Sequence, residues 1–162
     1  MKILIAYDGS PSAESAAQEI LRRPWPAGSE VRLVTVLDRP YPPASGFELY
    51  APVFEQLRAS CREEAYDRIQ RCLAQFRSRP ELETSYEIRD GNAKQALLEA
   101  IREWRADLVV AGSHGAKGLA RLFLGSVCHA LVTHSPCNVE VVKSPPEPAA
   151  SDRDRISTET TV

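Results

Sequence analysis

The residues best suited to chemistry in this chain are three glycines and a serine that follow a short apolar run. Residues 108–111 are apolar, and Gly112, Gly115, Gly125 and Ser126 come after them. Glycine allows backbone N–H groups to approach an anion closely, and the start of a helix adds a partial positive charge. Ser126 adds a hydroxyl that is suited either to capping that helix or to binding a phosphate oxygen. The glycine-rich segment, residues 112–126, therefore predicts a phosphate-binding site.

Two common phosphate-binding motifs do not fit this segment. A Walker A loop needs Gly-Lys-Ser/Thr, but Lys117 is followed by Gly118. The dinucleotide motif Gly-x-Gly-x-x-Gly is broken by His114. The spacing is instead Gly-x2-Gly-x9-Gly-Ser. Turn geometry alone explains any one of these glycines, but the three together with the serine favour nucleotide binding.

The elements that must position this segment alternate between apolar runs and helical patterns. The sequence predicts strands over residues 2–7, 31–37, 82–89, 107–113 and 139–143, and helices over 13–21, 53–76, 93–104 and 125–134. Four prolines and a glycine predict irregular structure over most of residues 39–52. This alternation predicts an α/β fold, a Rossmann-like five-stranded parallel sheet with helices on both faces.

A parallel sheet brings the carboxyl ends of its strands to one edge. We therefore expect the loops after strands one, two and four to converge, so that Asp8, Val36 and Gly112 meet at one crevice. Ser10 or Ser12 is predicted to cap the first helix. Asp8 is suited either to that capping role or to contact with a ligand.

The cysteines predict packing rather than metal binding or catalysis. Cys61 and Cys72 are expected to share the buried stripe of an amphipathic helix over residues 53–76. No C-x-x-C pair is present, which argues against zinc and favours reduced thiols. Cys128 and His129 are neighbours on a predicted helix, so they point about 100° apart and do not form a catalytic pair.

Composition excludes several classes of function. The chain has 162 residues and a formal net charge of −2, which gives no electrostatic case for binding nucleic acid or an anionic membrane. It contains no apolar run of about 18 residues, and we expect a cytoplasmic protein. Residues 1–143 are predicted to form one domain. Residues 144–162 are rich in proline and charge and predict a disordered tail.

Taken together, these motifs resemble the universal stress protein family, in its ATP-binding branch, over residues 2–143. The resemblance depends on the glycine spacing and on four matching stretches, residues 5–10, 107–115, 125–127 and 135–137. It implies a homodimer that holds ATP, with Mg2+ or another divalent cation, across the carboxyl edge of the sheet.

The resemblance also implies roles for individual residues. Asp8 would contact the ribose or the metal and phosphates, and Ala6 and Val36 would lie against adenine. The residues implied at the phosphates are Gly112, His114, Gly115, Gly125, Ser126 and Val127. A core role for Val36 and a solvated role for His114 are the plain alternatives. Lys117 or Arg121 would suit the phosphate charge.

The sequence shows no apparatus for activating water beside these residues, neither paired carboxylates nor a histidine–acid pair. We therefore expect a regulatory ATP-binding protein of the stress response that is not an enzyme and has little or no hydrolysis. The alternative is a nucleotide-independent interaction protein of the same fold. An adenylating enzyme is disfavoured because its Ser-Gly-Gly-x-Asp-Ser loop is absent after the first strand.

The last strand bears on assembly. Its valines and its position at an edge of the sheet favour pairing with a second copy, and a Val141→Lys change is expected to weaken the dimer. Glu140 opposes this pairing, because charges on edge strands normally discourage it.

Overall fold

The computed structural model describes residues 1–37, 47–115 and 124–144, and contains five strands and four α-helices in alternation. The strands are β1 (Lys2–Ala6), β2 (Glu30–Leu37), β3 (Glu83–Asp90), β4 (Leu108–Gly112) and β5 (Asn138–Val142). The helices are α1 (Pro11–Arg22), α2 (Phe47–Gln75), α3 (Ala93–Trp104) and α4 (Ser126–His134), with a 3-10 turn at Phe76–Ser78 after α2. The disordered tail was predicted over residues 144–162, and all of these except residue 144 lie outside the described residues.

The strands form one parallel sheet in the order β3-β2-β1-β4-β5. The central strand is β1, and its Ile5 pairs with Leu33 of β2 on one side and with Val110 of β4 on the other. The predicted fold class is confirmed, and β5 is an edge strand as expected.

Alternate residues of the strands fill two separate hydrophobic cores. Ile3 and Ile5 are fully buried on the face covered by α1 and α2. Leu4 is fully buried on the opposite face, among residues of α3 and α4 such as Ile101 and Leu131. The period-two alternation of strand side chains explains why strands that are apolar throughout need helices on both faces.

The start of α1 follows the sequence prediction. Ser10 is its N-cap, and its hydroxyl accepts a hydrogen bond from the N–H of Ala13 at 3.2 Å. Pro11 occupies the first helical position and Glu14 the first turn, both of which suit a helix start.

The prediction for α2 is wrong at its amino-terminal end. The helix begins at Phe47 and continues through Pro52, whereas prolines led us to expect irregular structure up to residue 52. Proline lacks one backbone donor and clashes with the preceding turn, which usually breaks a helix. Here Pro52 is exposed and close to the helix start, so its ring faces solvent and few helical hydrogen bonds precede it.

The predicted apolar stripe of α2 is buried only in its carboxyl-terminal half. Ala65, Ile69 and Cys72 are buried, but Cys61 is exposed, contrary to our expectation. Leu57 is 49% exposed. A helix of 29 residues is about 44 Å long, whereas a strand of eight residues spans about 27 Å. The helix therefore extends beyond the sheet that its second half covers.

Glu140 on β5 is neutralised within the chain. Its two carboxylate oxygens accept hydrogen bonds from the Arg23 guanidinium at 2.7 Å each, and Arg23 directly follows α1. Because the pair is partly exposed, it contributes modestly to stability.

In the part of the chain that the structure describes, none of the helices has the length and apolarity needed to cross a bilayer.

Candidate functional site

A cavity of about 680 Å³ opens at the carboxyl edge of the sheet, where β1, β2 and β4 end. This volume is in the range of pockets that hold small ligands. The structure places all nine residues singled out from the sequence in its lining: Ala6, Asp8, Val36, Gly112, His114, Gly115, Gly125, Ser126 and Val127. The convergence of loops expected from a parallel sheet thus takes place at one cavity.

The loop after β1 forms one wall. The carboxylate of Asp8 accepts a hydrogen bond from the N–H of Ser10 at 3.0 Å. Gly9 between them has a φ of +76°, a left-handed conformation that favours glycine. Since Ser10 caps α1, capping is not the role of Asp8, whose exposed side chain lines the cavity.

The loop after β4 is fastened to the start of α1. The carbonyl oxygen of His114 accepts hydrogen bonds from the hydroxyls of Ser12 and, at 3.4 Å, Ser10. A Cβ at Gly112 would lie 2.6 Å from the backbone carbon of Ser12. Gly112 is therefore required for close packing of β4 against α1.

Gly115 has a different role. The φ angle of Gly115 is not in the left-handed region, and Gly115 is exposed to solvent. A Cβ at this position would come within 2.9 Å of a carboxylate oxygen of Asp8. The missing side chain keeps open the space between the loops after β1 and β4.

No side chain of the described residues caps the backbone donors at the start of α4. Gly125 is the N-cap residue, and its N–H donates to the carbonyl oxygen of Ser113 at 2.9 Å. Ser126 is the first residue of the helix and is exposed, so the capping role considered for it is not observed. The first N–H groups of a helix have no intrahelical partner, and Ser126 and Val127, which carry two of them, line the cavity.

His114 brings a nitrogen without a partner to this site. Its Nδ1 lies 2.9 Å from the hydroxyl oxygen of Ser113. Its Nε2 is buried and forms no hydrogen bond in the described structure. A buried polar atom without a partner is costly, and a bound ligand with a hydrogen-bonding group would remove that cost.

The opposite side of the cavity is apolar. Val36 lines it and also packs against the core formed with α3 and α4, so the ligand and core roles considered for it are compatible. Cys128 lies nearby, and burial raises the pKa of its thiol to about 11. The thiol is protonated at neutral pH, and His129 is exposed while Cys128 is buried, which excludes a thiolate–imidazole pair.

Sequence reasoning missed the start of α3, which contributes Asn92, Ala93 and Lys94 to the lining. The Asn92 side chain caps α3 by accepting from the N–H groups of Lys94 and Gln95. A signal was present, because Asp-Gly-Asn at residues 90–92 stands at the end of β3, much as Asp-Gly-Ser at 8–10 stands just after β1. Both are turns that lead from a strand to a helix cap.

The charges and possible metal ligands in the described lining are few. Asp8 and Lys94 are its charged residues. No cluster of three or more histidine, cysteine or acidic residues suited to a metal occurs among the described residues. Lys117 and Arg121, considered as phosphate-binding residues, lie outside the described ranges.

Comparisons with known proteins agree with this architecture. The model of the universal stress protein family matches residues 1–143. A putative universal stress protein of Staphylococcus aureus is 31% identical over 149 residues, covering 91% of this chain and 86% of the relative. The universal stress protein UspA of Lactobacillus plantarum superimposes with a TM-score of 0.76 at 23% identity, over 88% of this chain and 97% of the other. A family member from Arabidopsis thaliana, solved with AMP bound, gives a TM-score of 0.54 at 17% identity, over 95% and 99% of the two chains.

Proposed function

The chain belongs to the universal stress protein family, and we propose that it binds ATP, with Mg2+, in the cavity at the carboxyl edge of its sheet. The observation that carries the proposal is the glycine-bordered opening beside the uncapped start of α4. There, the first residues of α4 and His114, whose buried Nε2 has no hydrogen-bond partner in the described structure, line one cavity. Such donors suit phosphate oxygens.

The lining divides into two parts that fit the two ends of a nucleotide. The apolar side, with Ala6 and Val36, suits the adenine ring. The glycines and the start of α4 suit the phosphates, with Gly112, Gly115 and Gly125 bordering the space that they need. The AMP bound to the Arabidopsis relative supports an adenine nucleotide as the ligand class.

Asp8 is the residue that would hold the cation. Mg2+ in nucleotide sites is commonly held by one or two carboxylates together with substrate phosphates, rather than by a cage of protein ligands. The one carboxylate of the described lining fits that arrangement. The cation would neutralise phosphate charge that Asp8 alone would repel.

We further propose that the bound nucleotide is a regulatory ligand in the cytoplasm and undergoes little or no hydrolysis. Hydrolysis of ATP needs a group that positions or activates water. The described lining offers one carboxylate, Asp8, one imidazole, His114, whose Nδ1 lies beside the Ser113 hydroxyl, and one protonated thiol, Cys128. A ligand that binds only the folded state stabilises it, and one that prefers one conformation shifts the population toward it.

Thermal denaturation with nucleotides tests the proposal. The melting temperature is expected to rise with MgATP and to rise less with MgGTP, because guanine carries more polar edge groups than adenine and burying them against an apolar wall costs free energy. Chromatography of the supernatant from denatured purified protein would identify any nucleotide that copurifies. An unchanged melting temperature together with no released nucleotide would favour the alternative, a nucleotide-independent interaction protein.

We also propose a homodimer that pairs through β5. Light scattering at micromolar concentration is expected to give twice the chain mass. Val141→Lys is expected to lower that mass, with circular dichroism to check the fold, because Val141 also packs against the core of its own chain. A monomeric wild-type protein would refute the dimer, and a dimer unaffected in a folded variant would place the interface elsewhere.

A further inference from the structure

We propose that the ammonium group of Lys94 supplies counter-charge for the phosphate groups of the ligand. The inference rests on the proposed nucleotide binding and adds a residue from outside the glycine-rich segment. Lys94 is the second residue of α3 and lines the cavity beside Ala93, with Leu97 one turn further along the helix.

The described part of the lining offers little full positive charge to a polyanion. A nucleoside triphosphate carries several negative charges, whereas Asp8 and Lys94 are the only formally charged residues in the described lining, and their charges cancel. Backbone N–H groups and helix starts supply partial charges alone. In the described lining, the ammonium group of Lys94 is therefore the group that offers a full positive charge to a polyanion.

The position of Lys94 in α3 has no explanation in the stability of the helix. The first turn of a helix favours acidic residues and disfavours basic ones. The backbone N–H of Lys94 is already bonded to the Asn92 side chain at 3.1 Å, so the helix does not need the lysine as a cap. Within the described residues, its ammonium group forms no ion pair. A residue that breaks a local preference without a local gain points to function.

The exposure of Lys94 sets the size and the salt dependence of its effect. Solvent screens charges at exposed positions, so such a pair is weaker than a buried one. Its long, flexible side chain allows the charge to follow the ligand without a fixed geometry. We therefore expect a modest contribution that is largest at low ionic strength.

The test compares three variants by calorimetry with MgATP and with AMP. Lys94→Gln removes the charge, Lys94→Arg keeps it, and Arg102→Gln removes an exposed charge from the far end of the same helix. At low salt, Lys94→Gln is expected to weaken MgATP binding about three- to fivefold, as for an exposed charge pair. The loss should shrink in high salt and be smaller for AMP, while Lys94→Arg and Arg102→Gln bind as the wild type does.

The melting temperature without ligand separates this role from a structural one. Lys94→Gln should melt no lower than the wild type, because it removes a positive charge from the first turn. Equal affinities of Lys94→Gln and Arg102→Gln would overturn the inference, and so would an equal loss in Lys94→Arg. If the wild-type protein binds neither MgATP nor AMP, the proposed function itself fails.

Discussion

The loop after β4 and the first half of α2 both lie toward the carboxyl edge of the sheet, but they are held by different forces. The β4 loop is fastened by hydroxyls of buried serines, such as Ser12, and by a glycine packed against backbone. The first half of α2 reaches the sheet through ion pairs of Arg58 and Arg62 with Asp90, at 3.8 and 3.3 Å. These arginines are about half exposed.

The two regions differ in how strongly their contacts fix their positions relative to the sheet. Buried hydrogen bonds and close packing allow one arrangement, because leaving a buried group unpaired is costly. Exposed ion pairs contribute little and are screened by salt. The described start of the β4 loop, residues 113–115, is thus suited to hold a ligand site in a fixed geometry, whereas the first half of α2 has little influence on that geometry.

The largest effect is expected at the contact between β4 and α1. Gly112→Val would force a side chain against the backbone of Ser12, so β4 or α1 would have to shift. We expect a loss of about 3 kcal/mol in the free energy of unfolding, typical of severe overpacking. Urea denaturation measures it, with Gly115→Val as the control that should unfold near the wild-type midpoint. Equal stability of both variants would contradict the assigned difference between the two glycines.

A smaller effect is expected from the hydrogen bond that fastens the β4 loop. Ser12→Ala removes the shorter of the two hydrogen bonds to the His114 carbonyl, which keeps only the contact of 3.4 Å with the Ser10 hydroxyl. The change should lower the unfolding free energy by about 1 kcal/mol, as for the loss of one hydrogen bond. Ser15→Ala removes an exposed hydroxyl from the same helix and should change it by less than about 0.5 kcal/mol. If the two variants unfold alike, the loop is held by other contacts.

The smallest effect is expected in the first half of α2. Leu57→Ala should change the unfolding free energy by no more than about 0.5 kcal/mol, because the side chain is largely exposed. Ile69→Ala, on the buried half of the same helix, should cost about 3 kcal/mol. A cost at Leu57 that approaches the cost at Ile69 would show that the first half of α2 is packed in solution.

The sequence predicted the sheet because its strands carry a strong local signal. Residues 108–111 are apolar throughout, which a strand buried on both faces requires, and the turn residues after β1 and β3 mark helix starts. The glycines after β4 indicated the position of the cavity, because a parallel sheet fixes which edge its loops occupy. These inferences needed only local patterns and one topological rule.

The features that the sequence did not reveal depend on distances between elements. The apolar periodicity of α2 continues from Ile69 back to Val53, but periodicity does not report where the sheet beneath the helix ends. Lys94 was missed because α3 reaches the cavity only through its crossover from the edge strand β3 to β4. The separate roles of Gly112 and Gly115 emerged only when the position of α1 was known.

The most direct test of the proposed site is calorimetric titration of wild-type protein and Gly115→Val with MgATP. A branched side chain at this position would fill the space between the loops after β1 and β4, while the rest of the fold has room for it. We predict that the wild-type protein binds MgATP, and that the variant keeps the wild-type melting temperature but shows no detectable binding. Wild-type affinity in a folded Gly115→Val variant would contradict the placement of the phosphates at these glycines.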